Sequence, residues 1–269
     1  MMDLSAIKSK LSSLQTQNKG GQRRDMSLTL WKPTVGKHSV RVVPAVWDKT
    51  NPFKEVFVHY GIGNRTMISL INFGEKDPIV EFAKQLASSG DKENWMMSRK
   101  LEPKMRVFTP VIVRGEEEKG VRLWEFGKQI YAELLSLADD PDIGDYTDPI
   151  QGRDITIETT GPETNGTSFN QSKVRVRTKT TPLSEDANEV QKWLTNQPDA
   201  FSIFKKYPYD EMKESLLSWL NPEDTAGEPT PTLAAEATKP AVQPASFALN
   251  TPAKANIDDE FDALFKSPF

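Results

Sequence analysis

Hydrophobic and polar positions alternate along several stretches of this chain, and in a strand that alternation assigns each residue to one of two faces. In "MRVFTPVIVRGEEEKGVRLWEF", residues 105–126, Val107, Val111, Val113, Val121 and Leu123 share one face of a predicted hairpin, with only Thr109 interrupting. The opposite parity carries Arg106, Phe108, Arg114, Arg122, Trp124 and Phe126. That second set is neither an apolar core nor the Lys/Glu/Thr mixture of a solvated strand. A second predicted hairpin, "GRDITIETTG" followed by "KVRVRTKTTP", repeats the bias. Lys173, Arg175, Arg177 and Lys179 fall on one face, Val174 and Val176 on the other, and Phe169 lies just upstream.

Further strand signals occur at "HSVRVVPAVW" and "FKEVFVHYGIG". "DPIVEFAKQLAS" predicts a helix with Asp77 as N-cap, Pro78 at its first position and Ile79, Phe82, Ala83 and Leu86 along one side. "GKQIYAELLSLA" predicts another, and "EDANEVQKWL", "DAFSIFKKY" and "YDEMKESLLSWL" close the ordered region near Asn221. Short strands, a helix between strand pairs and helices gathered at the end predict an α+β domain over 28–221, built on a small β-barrel. Before it, residues 1–27 hold a short amphipathic segment (Leu4, Ile7, Leu11, Leu14 among Lys8 and Lys10) and then "QNKGGQRRD". After it, 222–256 is rich in Pro, Ala and Thr and reads as a disordered linker, and 257–269 is an acidic tip with apolar anchors.

Composition fits a globular domain with polar appendages: 269 residues, 37% hydrophobic and 27% charged. No apolar run approaches the roughly 18 residues of a spanning helix, and the N-terminus has no apolar signal core. With no cysteine there is neither a disulfide nor a thiolate metal site. The net charge of −4 conceals segregation. Residues 1–30 hold five Lys/Arg against two Asp/Glu, whereas 222–269 hold three against eight.

Four cations at period two repel one another unless something negative lies across them, and a nucleic-acid backbone is the commonest extended polyanion in a cell. Interleaved rings add flat surfaces on which unpaired bases stack, worth about 1–3 kcal/mol per base with little regard to sequence. Two other readings of the same residues stand beside this one: a basic strand face that is merely solvated, and Trp124 and Phe126 as core residues of a sheet covered on both sides. Enzymatic signals are weak. "GKHS" at 36–39 lacks the upstream glycine and the Ser/Thr after Lys of a phosphate loop. His38 and His59 have no triad context or ligand spacing, and "DDPDIGD" at 139–145 lacks the closing Glu of a cation loop.

The order of "WKPTVGKHSVRVVP", "FVHYG", "DPIVEFAKQL", "RK…VIV…GVRLWEFGKQIY" and "GRDITIE…FNQSK" resembles the single-stranded DNA-binding, helix-destabilising proteins of T-even-type phages over about residues 28–220. The resemblance implies an OB-fold core binding single-stranded DNA, a basic N-terminal arm that makes binding cooperative by docking on the neighbouring protomer, and an acidic tail that recruits replication and recombination proteins. It implies a DNA-contacting ring at Trp124 and another at Phe169. The arm would act through Lys8, Lys10, Arg23 and Arg24. The tail would act through Asp258, Asp259, Glu260, Phe261, Asp262 and the terminal Phe269, the last resembling the tip of bacterial single-stranded DNA-binding proteins. The family's best-studied members hold a structural zinc through cysteines and a histidine, but here "DPIV" puts Asp77 and Val80 where cysteines stand. Zinc is therefore not expected, and packing of Ile71, Phe73, Ile79, Phe82 and Leu86 must replace it.

Together these imply a cooperative, largely sequence-independent single-stranded DNA-binding protein for phage replication, recombination and repair in the host bacterial cytoplasm. No catalytic residue is expected. Arg106, Arg114, Arg122, Lys173, Arg175 and Arg177 would meet phosphates while Phe108, Trp124 and Phe169 stack bases. The alternatives are a non-catalytic protein-interaction adaptor and an RNA-binding regulator.

Overall fold

The computed structural model describes residues 28–63, 65–221 and Phe261. The arm, the linker and the tip other than Phe261 lie outside the described residues, as do the roles expected of Lys8, Lys10, Arg23, Arg24, Asp258, Asp259, Glu260, Asp262 and Phe269. Eight strands and six helices follow in chain order. They are β1 Leu30–Trp31, β2 Gly36–Val42, β3 Lys54–Ile62, β4 Arg65–Ile68, α1 Pro78–Ser88, α2 Lys92–Leu101, β5 Lys104–Val113, β6 Arg122–Phe126, α3 Lys128–Asp139, β7 Arg153–Thr160, α4 Pro162–Asn165, β8 Gln171–Thr180, α5 Ala187–Thr195 and α6 Tyr209–Leu220. The described residues of Met1–Lys54 with Phe108–Ile203 form one compact unit, and those of Glu55–Val107 with Phe204–Phe269 form a second.

In the first unit the strand order is β1-β6-β5-β2-β7-β8. β1 runs parallel to β6, with Trp31 opposite Trp124, while β2 is antiparallel to both β5 and β7. The order has two ends, β1 and β8, that do not pair, so the mixed sheet is not closed into a barrel. The α+β architecture expected from the sequence is present; the closed small barrel is not.

Covering elements on both sides explain why β5 and β6 carry so few solvent positions. Every residue from Val107 to Val113 is buried, and so are Arg122, Leu123, Trp124 and Phe126. Rings of Trp31, Trp124, Phe126, Phe53 and Tyr131 form a continuous chain, each centroid 4.6–6.1 Å from the next. Trp193 of α5 packs with Leu183 against Val43, Ile112 and Val121. One end of the sheet is locked by Arg41, which donates to the carbonyls of Asp148 (2.7 Å) and Thr181 (2.9 Å) and lies 3.7 Å from Asp154. Gly152 permits this closeness, since a Cβ there would stand 2.4 Å from the Asp148 carbonyl and 2.5 Å from the Arg41 guanidinium.

In the second unit β3 and β4 form an antiparallel pair and α1, α2 and α6 supply the helices. Its core joins Ile62, Met67, Leu70, Ile79, Phe82, Leu86, Leu101, Met212, Leu216 and Leu220. Asp77 caps α1 as predicted, accepting from the Ile79 and Val80 amides through one oxygen. Its other oxygen accepts from Ser69 Oγ (2.6 Å), the Leu70 amide (2.9 Å) and His59 Nε2 (3.1 Å). Where packing alone was expected to hold this region, a buried His59–Asp77 pair does much of it. Ile71, expected in that packing, is instead 38% exposed and Phe73 is only partly covered, because both sit on a short 3-10 turn.

Candidate nucleic-acid interface

Period-two alternation in β8 works out as the sequence predicts. Val174 and Val176 are buried, and Lys173, Arg175, Arg177 and Lys179 are exposed on the other face. Register brings further polar residues beside them: Ser39 of β2 opposes Thr156 of β7, which opposes Arg175, and Lys37 opposes Glu158, which opposes Lys173. The result is an open groove of about 640 Å³ lined by Lys37, His38, Ser39, Thr156, Arg175, Val176, Arg177, Thr178 and Lys179. Four cations line it and no carboxylate does. Arg177 reaches Thr156 Oγ1 at 3.4 Å, and Lys37 lies 3.8 Å from the exposed Glu158, a spacing that binds Lys37 only weakly in water. Lys173, Arg175, Arg177 and Lys179 hold no ion pair among the described residues. Phe169, on the β7–β8 connection, is 63% exposed.

The first hairpin behaves differently, and four assignments to it need correction. Trp124 and Phe108 are completely buried, so neither ring offers a face to a base; Trp124 stands in the aromatic chain of the core. Arg114 donates to Asp154 from Nε (3.1 Å) and Nη2 (3.0 Å) and to the Leu183 carbonyl (3.0 Å). Arg122, 4% exposed, is 2.7 Å from Glu116. Both guanidiniums therefore answer carboxylates of the protein itself. Hydrogen bonds from Lys119 and Arg122, with the charges of both, hold the Glu116 carboxyl below its ordinary range against the opposing effect of burial. Arg106 is half-buried, in the part of β5 that belongs to the second unit, and does not line the groove.

Of the nine residues proposed to meet DNA, the structure gathers Lys173, Arg175 and Arg177 on one exposed strand face, with Phe169 leading into it. Sequence reasoning missed Lys37, Ser39 and Thr156, which reach the groove through pairing between strands more than a hundred residues apart. The period-two pattern of "GKHSVRV" was the available signal, since it puts Lys37 and Ser39 on the face opposite Val40 and Val42. Tail residue Phe261 is buried in the second unit's core.

Among the described residues no three His, Cys, Asp or Glu side chains come together as a metal site, and no helix is long and apolar enough to cross a membrane. No protein-family model matches the chain, and no curated protein matches it in sequence.

Proposed function

We propose that the protein binds single-stranded DNA without regard to sequence, cooperatively and without catalysis, in the replication, recombination and repair of a tailed phage within its bacterial host. The observation that carries this reading is the exposed cationic face of β8 opening onto a groove with four Lys/Arg and no acid. Arg175, Arg177, Lys173, Lys179 and Lys37 neutralise successive phosphates and release counterions, and the exposed ring of Phe169 stacks a base. Selectivity against duplex follows from the stacking requirement, because paired bases already have their partners. On this reading the sheet of the first unit is an OB-type sheet left open between β1 and β8, which fits the partly open barrels of that class. The arm supplies contacts between protomers along the strand, and the tail supplies contacts to other replication and recombination proteins.

A salt titration of tryptophan fluorescence with a single-stranded oligonucleotide, duplex and single-stranded RNA of the same sequence tests it. Quenching by single-stranded DNA, with log K falling by about 0.7 per phosphate contacted for each tenfold rise in salt, is the expected result. Equal binding of RNA would favour the RNA-regulator reading. No binding of any of the three at low salt would leave the adaptor reading.

A further inference from the structure

Phe261 is separated from Leu220, the end of α6, by 40 residues that include the Pro/Ala/Thr-rich stretch 222–256. Its side chain is nevertheless only 3% exposed. It packs into the cluster made by Ile79, Phe82 and Leu86 of α1 and Met212, Leu216 and Leu220 of α6. The rings of Phe82 and Phe261 meet edge to face, with centroids 5.6 Å apart at 73°. The sequence around Phe261 is unlike that of a core segment. Asp258, Asp259, Glu260 and Asp262 flank it, and Leu264 and Phe265 follow at the third and fourth positions, the spacing of an amphipathic peptide with one apolar side.

We propose that the C-terminal tip is a tethered ligand of the second unit: α1 and α6 form a slot for an aromatic-anchored acidic peptide, and Phe261 of the same chain is its occupant. A linker of this length keeps the tip at an effective concentration on the order of millimolar, so modest intrinsic affinity suffices to fill the slot. The consequence concerns partners. A protein that recruits the chain by gripping Phe261 must first withdraw it, and competes with the slot for the same ring. This inference stands apart from DNA binding, since it uses only residues of the second unit.

The test is a fluorescein-labelled peptide of residues 256–269, titrated by anisotropy against the full wild-type chain and against full-length Phe261→Ala. The peptide is expected to bind the Phe261→Ala chain at least about tenfold more tightly than the wild-type chain, whose slot is already occupied. A peptide itself carrying F261A is expected to bind neither. Equal affinity for the two chains, or undiminished binding by the F261A peptide, would overturn the proposal. A wild-type chain with a protease site built into the linker guards against a variant that does not fold. Cutting and dilution should free the slot and raise peptide binding by a similar factor, and no change after cutting would count equally against the proposal.

Discussion

Arg114 directs its guanidinium to Asp154 and to the carbonyls of Pro182 and Leu183. Replacing it with alanine leaves a nearly buried carboxylate with only the Arg41 guanidinium, 3.7 Å away, and no hydrogen bond from Arg114, and should cost about 1–3 kcal/mol of stability, measured by denaturant unfolding. Arg175 meets nothing charged among the described residues. Arg175→Ala should leave stability within about 0.5 kcal/mol of wild type. It should also weaken single-stranded DNA binding and lower the slope of log K against log salt by about 0.7, as expected for one lost phosphate contact. A variant whose affinity falls with the slope unchanged would mean that Arg175 touches no phosphate. Asp77 and His59 are of the first kind. His59 Nδ1 lies 3.0 Å from the Leu101 carbonyl and Nε2 3.1 Å from Asp77, so the ring bridges the end of α2 to the cap of α1. Burial alone pushes the Asp77 carboxyl up, but hydrogen bonds from His59, Ser69 and Val80 and the His59 charge outweigh it and hold the group below its ordinary value of 3.8. A carboxylate depressed in the folded state stabilises above its unfolded value, and that contribution is lost as pH falls through the lower folded one. Asp77→Ala should therefore cost about 3–5 kcal/mol near pH 7, the penalty for breaking a buried pair, and the gap from wild type should narrow below pH 3.8. A gap that stays constant with pH would show that the cap and packing matter there and the charge does not.

At the scale of elements, alternation located β5, β6, β7 and β8 and named the buried valines of β5 and β8 and the buried Leu123 of β6. What it could not supply was the cover. A strand buried on both faces and a strand with one wet face both alternate when arginine is used on the second face, and the difference lies in acids and rings placed far along the chain. Asp154 is 40 residues from Arg114, and Trp31 is 93 from Trp124. The prediction of a helix at 78–88 succeeded because Asp77, Pro78 and an apolar stripe are all local. α2 went unseen for the converse reason: its buried residues are Asn94, Ser98 and Leu101, while Trp95 and Met96 point outward, so no apolar stripe marks it. The two hairpins should separate cleanly under mutation. Trp124→Ala opens a cavity in the aromatic chain and should cost about 3–5 kcal/mol of folding free energy. Phe169→Ala should leave folding unchanged and reduce single-stranded DNA affinity by about 1–3 kcal/mol if its ring stacks a base. Loss of stability on removing Phe169, with affinity retained, would assign that ring to the hairpin.

Across the whole molecule, charge and anchoring act through different residues of the same tail. Removing residues 223–269 leaves 31 Lys/Arg against 30 Asp/Glu and moves the net charge from −4 to +1. A polyanion approaching a cationic groove feels that change at long range when salt is low, where the screening length is about 30 Å at 0.01 M, and hardly at all at 1 M, where it is about 3 Å. The deletion should thus tighten single-stranded DNA binding at low salt, with the gain fading as salt rises. Phe261→Ala keeps every tail charge while emptying the apolar slot between α1 and α6, so it separates two causes that the deletion combines. If the tail acts on DNA binding through its net charge, Phe261→Ala should leave the affinity and its salt slope at wild-type values. If the variant reproduces the deletion's low-salt gain, the position of the tail governs DNA binding, and the anchoring of Phe261 in the second unit becomes part of that control.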